Sequence, residues 1–287
     1  MYTNDIKIFE AVAAHGNFTR AAEATFTVQS NVTARIKNLE EEFGTELFKR
    51  SARKVELTPA GKILIQYFKQ ITHLIDEAKK EISKSGEISG SLKIGCVETT
   101  MALKAPGIIK QFTEQYPEID LEFKSATRPD LIRDVLNYKL DAAFISAPIN
   151  NAELNHIIIK KEQLSILAPA KSAKVEDVIR TKPLRIVVFE LGSIFRTRLE
   201  TFLSNKGIVE YKLITVSSLE GIINFVEAGL GISMLPTEVV NKYYKTRKIK
   251  LFHLNKELGT MTTLLVTRSG TPTSRAFKAF IDLYKAV

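Results

Sequence analysis

Apolar residues recur at helical spacing through the first 82 positions of the chain. Ile6, Phe9, Val12 and Ala13 form one stripe and predict a helix over residues 3 to 14. Gly16-Asn17 signals a turn, and Thr19 stands as a candidate N-cap before Ala21, Ala22 and Ala24. A break at Thr25-Phe26-Thr27 precedes a longer stripe, Val32, Ile36, Leu39 and Phe43, spaced four, three and four. The other face of that helix carries Gln29, Ser30, Asn31, Thr33 and Arg35, and Gly44 is placed to stop it. Two short helices of this kind, the second with a polar start, make a helix-turn-helix. Leu47-Phe48-Lys49-Arg50 and Lys54-Val55-Glu56-Leu57 then roughly alternate, as a small basic hairpin does.

Thr58-Pro59 is a strong helix start. Leu64, Phe68, Ile71, Ile75, Ala78 and Ile82 follow at heptad spacing, which predicts a helix of about 25 residues and about 38 Å with an apolar seam. That seam calls for a partner. Pairing of two chains through residues 59 to 84 fits, as does packing on the chain's own C-terminal domain. Ser85-Gly86-Glu87-Ile88-Ser89-Gly90 reads as a linker.

From residue 91 strand and helix patterns alternate. The expected strands include Leu92 to Cys96, Ile119 to Phe123, Ala142 to Ile145, Leu164 to Leu167, Ile186 to Phe189, Leu213 to Val216 and Thr262 to Val266. Helices are expected over Thr100 to Tyr116, Asp130 to Lys139, Ser193 to Ser204, Leu219 to Ala228 and Ser274 to Tyr284. Repeated βα units predict parallel sheets. Crossings near Lys161 and Val266 predict two lobes around a cleft. The expected organisation is a reader over 1–58, a linker helix and hinge over 59–90, and an α/β domain over 91–287. Its first lobe is 91–161 with 267–287, and its second is 162–266.

Composition adds exclusions. Apolar residues at 45% and charged residues at 25% describe an ordinary globular chain. No signal-peptide or membrane-span pattern is present, so the cytoplasm is the expected compartment. The single Cys96 excludes an intrachain disulfide, and His15, His73, His156 and His253 show no metal-ligand spacing. No catalytic motif is present, so no enzyme, metal or cofactor is expected. Cys96 is read as a buried strand residue, with a redox role as the other reading. The net charge is +9, yet residues 1–58 hold eight Lys+Arg against eight Asp+Glu, while 91–287 hold 28 against 20. The excess lies outside the expected reader, where the local run Lys49, Arg50, Arg53 and Lys54 is the better DNA signal.

The motifs Phe18-Thr19-x-Ala21-Ala22, Gln29-Ser30-x-Val32-Thr33, Ile36-x-x-Leu39-Glu40, Gly44-x-x-Leu47-Phe48-x-Arg50 and Leu57-Thr58-Pro59-Ala60-Gly61 together resemble the LysR-type transcriptional regulators. Gly229-Leu230-Gly231-Ile232 with Leu235-Pro236 fits the same family. The resemblance implies a winged helix-turn-helix, a dimerising helix and a two-lobed effector domain similar to periplasmic solute-binding proteins. It also implies a second interface between effector domains and hence a homotetramer. Val28 departs from the family, which usually has a Ser there that caps the reading helix and touches a phosphate; Thr27 is the substitute cap expected here. Thr25, Thr27 and Ala34 depart as well, since aliphatic residues are usual at the first two and Arg is frequent at the third.

The expected DNA contacts are Thr19, Arg20, Gln29, Ser30, Asn31, Thr33, Arg35, Lys49, Arg50 and Arg53. Ligands of open parallel sheets sit beyond strand C-termini, beside helix N-termini. That rule and the resemblance select Thr99, Thr100, Met101, Thr127, Arg128, Ser146, Gly192, Ser193, Arg196, Ser217 and Ser218 for a small effector. The basic excess of 91–287 favours an anionic one, with Arg128 or Arg196 as its partner; its identity stays open. The reading is a regulator that binds duplex DNA specifically and answers to a small molecule between two lobes. The alternatives are a regulator without an effector, or a solute-binding or enzyme-like α/β domain fused to a protein-binding helical module.

Overall fold

The first unit begins with α1 (Thr3–His15), whose Ile6, Ile8, Phe9 and Val12 are buried. Helices α2 (Phe18–Ala24) and α3 (Gln29–Glu42) follow, then the antiparallel hairpin β1 (Phe48–Arg50) and β2 (Val55–Leu57). The long helix α4 (Pro59–Ile82) closes this unit. The computed structural model describes residues 3–50, 54–82, 88–103 and 105–286, and it divides into Met1–Ser85 and Gly86–Val287. The expected linker boundary therefore moves: α4 belongs with the reader. Val32, Ile36 and Leu39 of α3 are buried against α1 and α2, as their stripe requires.

Two caps differ from expectation. Asn17 caps α2, its Oδ1 accepting from the N–H groups of Thr19 at 2.8 Å and Arg20 at 3.0 Å. Thr19 thus lies inside the helix, because the Asn side chain reaches two orphan donors at once. The N-cap of α3 is Val28, which offers no side-chain acceptor, and Thr27 does not replace it. Gly44 follows α3 at φ +64, as a helix stop. Thr58 caps α4 as expected, its Oγ1 accepting from Gly61 N at 3.0 Å.

The apolar seam of α4 divides between two faces. Leu64, Ile65 and Phe68 are buried in the core of their own unit, with Ile71 packed beside them. Phe68 meets the Phe9 ring edge-on at 5.2 Å. The expected heptad seam is therefore spent in its first half inside the chain. The exposed apolar face is Ile63 (62%), Tyr67 (59%) and Leu74 (45%), rotated from the buried one.

The second unit contains, in chain order, β3 (Gly90–Cys96), α5 (Glu98–Leu103), α6 (Ala105–Gln115), β4 (Ile119–Ser125), α7 (Arg128–Leu136), β5 (Ala142–Ser146) and β6 (Leu154–Pro169). It continues with α8 (Val175–Ile179), β7 (Arg185–Val188), α9 (Ile194–Asn205), β8 (Lys212–Thr215), α10 (Leu219–Glu227), β9 (Ser233–Pro236), α11 (Thr237–Tyr243) and β10 (Ile249–His253). Last come α12 (Lys256–Gly259), β11 (Thr260–Arg268) and α13 (Arg275–Ala286). No helix among the described residues is long and apolar enough to cross a membrane.

The sheet runs β10-β6-β11-β5-β3-β4, with β9 also on β6, while β7 and β8 pair separately. β3 is parallel to β4 and β5, but β11 is antiparallel to β5 and β6, so the sheet is mixed rather than parallel throughout. β6 extends well before the expected strand Leu164 to Leu167: residues 154–163 pair with β11 and residues 164–169 with β9 or β10. The first crossing lies at Gln163/Leu164, close to its expected place. The return crossing does not lie at Val266, because Thr263 to Thr267 already pair with β5 of the first lobe. The second lobe has its own core, including Ile186, Leu199, Ile223 and Met234.

Gly61 shows why this position admits no side chain: a Cβ there would stand 2.2 Å from the Leu47 carbonyl oxygen. Gly61→Ala is expected to destabilise the first unit by roughly 1–3 kcal/mol. Gly107→Ala on α6, where a Cβ meets nothing within 4 Å, is expected to stabilise the second unit by up to about 1 kcal/mol. Urea titration of each variant checks both signs.

Cys96 is fully buried on β3, and burial pushes its thiol up to about 12. The neutral thiol is the folded form, so its contribution to stability is complete below the ordinary thiol range. That contribution is lost as pH rises through about 12. At pH 8 only about one thiol in ten thousand is ionised, so the native protein should ignore Ellman's reagent and peroxide and react only in urea. Rapid labelling of the native chain would restore a redox role for Cys96.

Candidate DNA interface and effector cavity

The reading helix α3 starts on exposed surface, and the chain fixes most of its polar side chains before any DNA arrives. The Thr19 hydroxyl donates to Gln29 Oε1 at 3.0 Å, so the Gln29 amide turns its NH₂ outward. Asn31 Nδ2 donates to Thr27 Oγ1 at 2.8 Å, back toward the turn. The Thr33 hydroxyl donates to the Gln29 carbonyl at 3.0 Å. Arg35 Nη1 lies 2.6 Å from Asp5 Oδ1, and Asp5 is buried. Arg35, placed on the DNA face by its position in α3, is thus held to α1 by a carboxylate 30 residues earlier in the chain. Ser30 and Arg20 remain exposed with no partner among the described residues.

The hairpin is fixed to α3 by Glu40, whose Oε1 accepts from the N–H groups of Leu47 at 2.9 Å and Phe48 at 3.2 Å. Lys54 and Glu56 pair at 2.6 Å; the bond raises the lysine's pKa and lowers the glutamate's. Lys49 is exposed on β1. The Arg50 side chain and Arg53 lie outside the described residues.

In the second unit a cavity of about 280 Å³ opens between the lobes. Thr99, Thr127, Arg128 and Ser146 line it from the first lobe, and Gly192, Ser193 and Ser217 from the second. All seven are residues that the strand-end rule selected. Four others are elsewhere. Arg196 pairs with Glu200 at 2.9 Å along its own helix. Ser218 caps α10, accepting from Gly221 N at 3.1 Å. Met101 packs in the core of the first lobe. Thr100 follows Thr99 on α5 and turns about 100° away from the wall, one residue further round the helix.

The wall is more apolar and more acidic than the sequence suggested. Val97, Phe189, Ile194 and Phe195 contribute apolar surface, and Glu98 and Glu190 join Arg128 as its ionisable residues. The positive excess of 91–287 is therefore not concentrated here. Glu190 comes two residues beyond β7, so the same strand-end rule, applied two residues earlier than Gly192, finds it.

Arg128 is already engaged. Its Nε donates to the Ser146 carbonyl at 3.1 Å and its Nη2 to the Pro148 carbonyl, and burial lowers its pKa from the ordinary arginine value. Thr127 caps α7 and donates to Asp130 Oδ2 at 2.7 Å. Thr99 and Ser146 differ: both are buried, at 3% and 5% exposure, and neither side-chain hydroxyl has a partner among the described residues.

The lobes touch beside the cavity. Glu98 Oε1 accepts from Leu219 N at 2.8 Å, so a carboxylate of the first lobe sits on the N-terminus of α10 in the second. Tyr243 donates its hydroxyl to the Ala102 carbonyl at 2.8 Å. Gly192, at φ +94, passes so close to Pro129 that a Cβ would meet its ring at 3.1 Å.

Comparison with known proteins matches both units. Residues 3–62 match the family of bacterial regulatory helix-turn-helix proteins of the lysR family, and residues 85–287 match the LysR substrate binding domain. The chain is 38% identical to the uncharacterised HTH-type transcriptional regulator YusT of Bacillus subtilis, covering 100% of this chain and 96% of the relative. It is 31% identical to the HTH-type transcriptional regulator YofA of Bacillus velezensis, covering 100% and 99%. Among solved structures, a full-length OxyR variant of Pseudomonas aeruginosa superposes at a TM-score of 0.76 with 22% identity, covering 99% and 95%. Full-length CbnR complexed with its target DNA does so at 0.69 with 18% identity, covering 100% and 99%. With the reader, the long helix and the two-lobed domain all in place, the chain belongs to the LysR family of DNA-binding transcriptional regulators.

Proposed function

We propose that this regulator is non-catalytic, works in the cytoplasm, and is switched by a small polar effector held in the cavity between the lobes. The carrying observation is the pair Thr99 and Ser146, buried hydroxyls that find a partner only through the cavity. A ligand hydrogen bond to each such hydroxyl contributes about 0.5–1.5 kcal/mol net. An anionic group of the effector is best placed at Arg128 and the first turn of α9, whose N-cap Ser193 makes no side-chain bond. Glu98 and Glu190 oppose a second negative charge. The apolar wall takes the body of the molecule. A ligand bridging both lobes shifts their orientation only through its different affinity for the two arrangements.

Catalysis has little support. No group of three His, Cys, Asp or Glu among the described residues could hold a metal. Ser165 Oγ lies 3.1 Å from His253 Nδ1, but Ser165 is wholly buried and no substrate reaches it.

On DNA, Gln29, Ser30 and the open first turn of α3 enter the groove, with Arg20 and Lys49 on phosphates. Two chains pair through Ile63, Tyr67 and Leu74 of α4. β4, a free sheet edge, offers the second contact that would make a homotetramer.

Three experiments test this reading. A thermal-shift screen of small carboxylates should find a ligand that raises the melting temperature, and Thr99→Val should abolish that shift while leaving DNA retention intact. A full response in both Thr99→Val and Ser146→Ala would remove the effector from this cavity. Lys49→Ala should weaken binding to all duplexes alike and lower the salt slope by about one, read by gel shift over a salt series. Leu74→Lys should break the α4 contact and take tetramers to dimers in analytical ultracentrifugation; an unchanged oligomer would place the interface elsewhere.

A further inference from the structure

We propose that the operator is read chiefly through thymine methyl groups, against an apolar surface formed by Val28, Thr33 and Ala34. This rests on the DNA-reading role of α3 and adds what that helix recognises. Three observations carry it. First, polar side chains at the start of α3 are committed inside the chain: Asn31 to Thr27, the Thr33 hydroxyl to the Gln29 carbonyl, Arg35 to Asp5. Second, what they leave outward is methyl-bearing. Val28 is 64% exposed at the tip of the helix, Ala34 is exposed, and Thr33, its hydroxyl proton given to the Gln29 carbonyl, offers its methyl and an acceptor oxygen. Third, Thr33 and Ala34 lie on neighbouring rows of the outward face, while Val28 stands at the N-cap, in line with Val32. Ser30 and Ala34 form one i,i+4 row beside the row of Gln29 and Thr33, and both rows lie away from the buried Val32, Ile36 and Leu39.

A major-groove reader distinguishes bases by donors, acceptors and the thymine C5-methyl group, and Ala or Thr methyls are apt partners for that methyl. Base-edge donors on the first turn are the Gln29 NH₂ and the Ser30 hydroxyl. The Gln29 carbonyl accepts from Thr19, so the amide meets DNA as a donor and favours base acceptors. The surface is thus rich in methyls and poor in hydrogen-bonding groups.

Deoxyuridine isolates the effect, since it lacks only the methyl group of thymine. The full-length protein selects a duplex from a random pool, and each thymine of that duplex is replaced singly by deoxyuridine. At least one replacement per half-site should weaken binding about fourfold, the worth of one buried apolar carbon. Val28→Ser or Ala34→Ser should remove that penalty. Val28→Ser adds a side-chain cap to α3, so misfolding does not confuse the result. Replacements that all stay within about 1.5-fold of thymine in the wild-type protein would overturn the proposal, because a lost methyl contact exceeds that. So would a penalty unchanged in both variants. Failure to enrich any duplex would overturn the DNA reading itself, and this inference with it.

Discussion

The β6–β11 ladder is the constraint on which the effector domain depends. β6 pairs with β11 over residues 154–163 and then continues into the second lobe against β9 and β10. The two lobes therefore share a strand and cannot part without breaking a hydrogen-bonded ladder. What remains is a bend or twist. The register shift between Thr263 and Leu264 lies within this ladder, a local irregularity where the sheet can flex at low cost. The cavity lies between the lobes, and Glu98 lies both on its wall and on the N-terminus of α10. A ligand that competes for Glu98 loosens the interlobe contact; one that leaves it intact and fills the apolar wall tightens it. The sign of the switch thus turns on what meets a single carboxylate.

How much of this was legible in the sequence depends on whether each partner is local. The α3 stripe, the Thr58 cap and the Gly44 stop rest on neighbours within a few positions, and the structure has all three. The strand-end rule works for Thr99, Ser146 and Ser217 because it depends on topology, which the βα alternation reveals. Arg196 failed for a local reason that was readable: Glu200 stands four residues on, and the pair closes along α9. Arg35 failed for a non-local one, because nothing near it in the chain points to Asp5. The α4 seam failed by excess. Its apolar arc is wide enough for two partners, and spacing alone cannot say which half the chain itself buries. The placement of the return crossing failed because Thr262 to Val266 looks the same as a strand of either lobe.

Net charge misled in a related way. A surplus spread over 91–287 describes the whole surface, and it bears on solubility and association rather than on any one site. The cavity wall carries Glu98, Glu190 and Arg128, with two of the arginine's five N–H donors given to carbonyls. Ligand class has to be argued from the groups that face the ligand.

The core of the first unit supplies the last step between effector and DNA. Phe68 of α4 meets Phe9 of α1, Phe9 lies 4.9 Å from Phe48 of the hairpin, and Leu64 and Ile65 join the same buried cluster as Val32 and Ile36 of α3. Close-packed interiors transmit displacement rather than absorb it. The exposed face of α4 and the reading helix therefore move as one body. If two chains meet along Ile63, Tyr67 and Leu74, the spacing of their reading helices is set by how the two α4 helices cross. No compliant joint stands between that crossing and α3. On that pairing, a change in the spacing of the reading helices requires a change in the angle or register of the α4 pair.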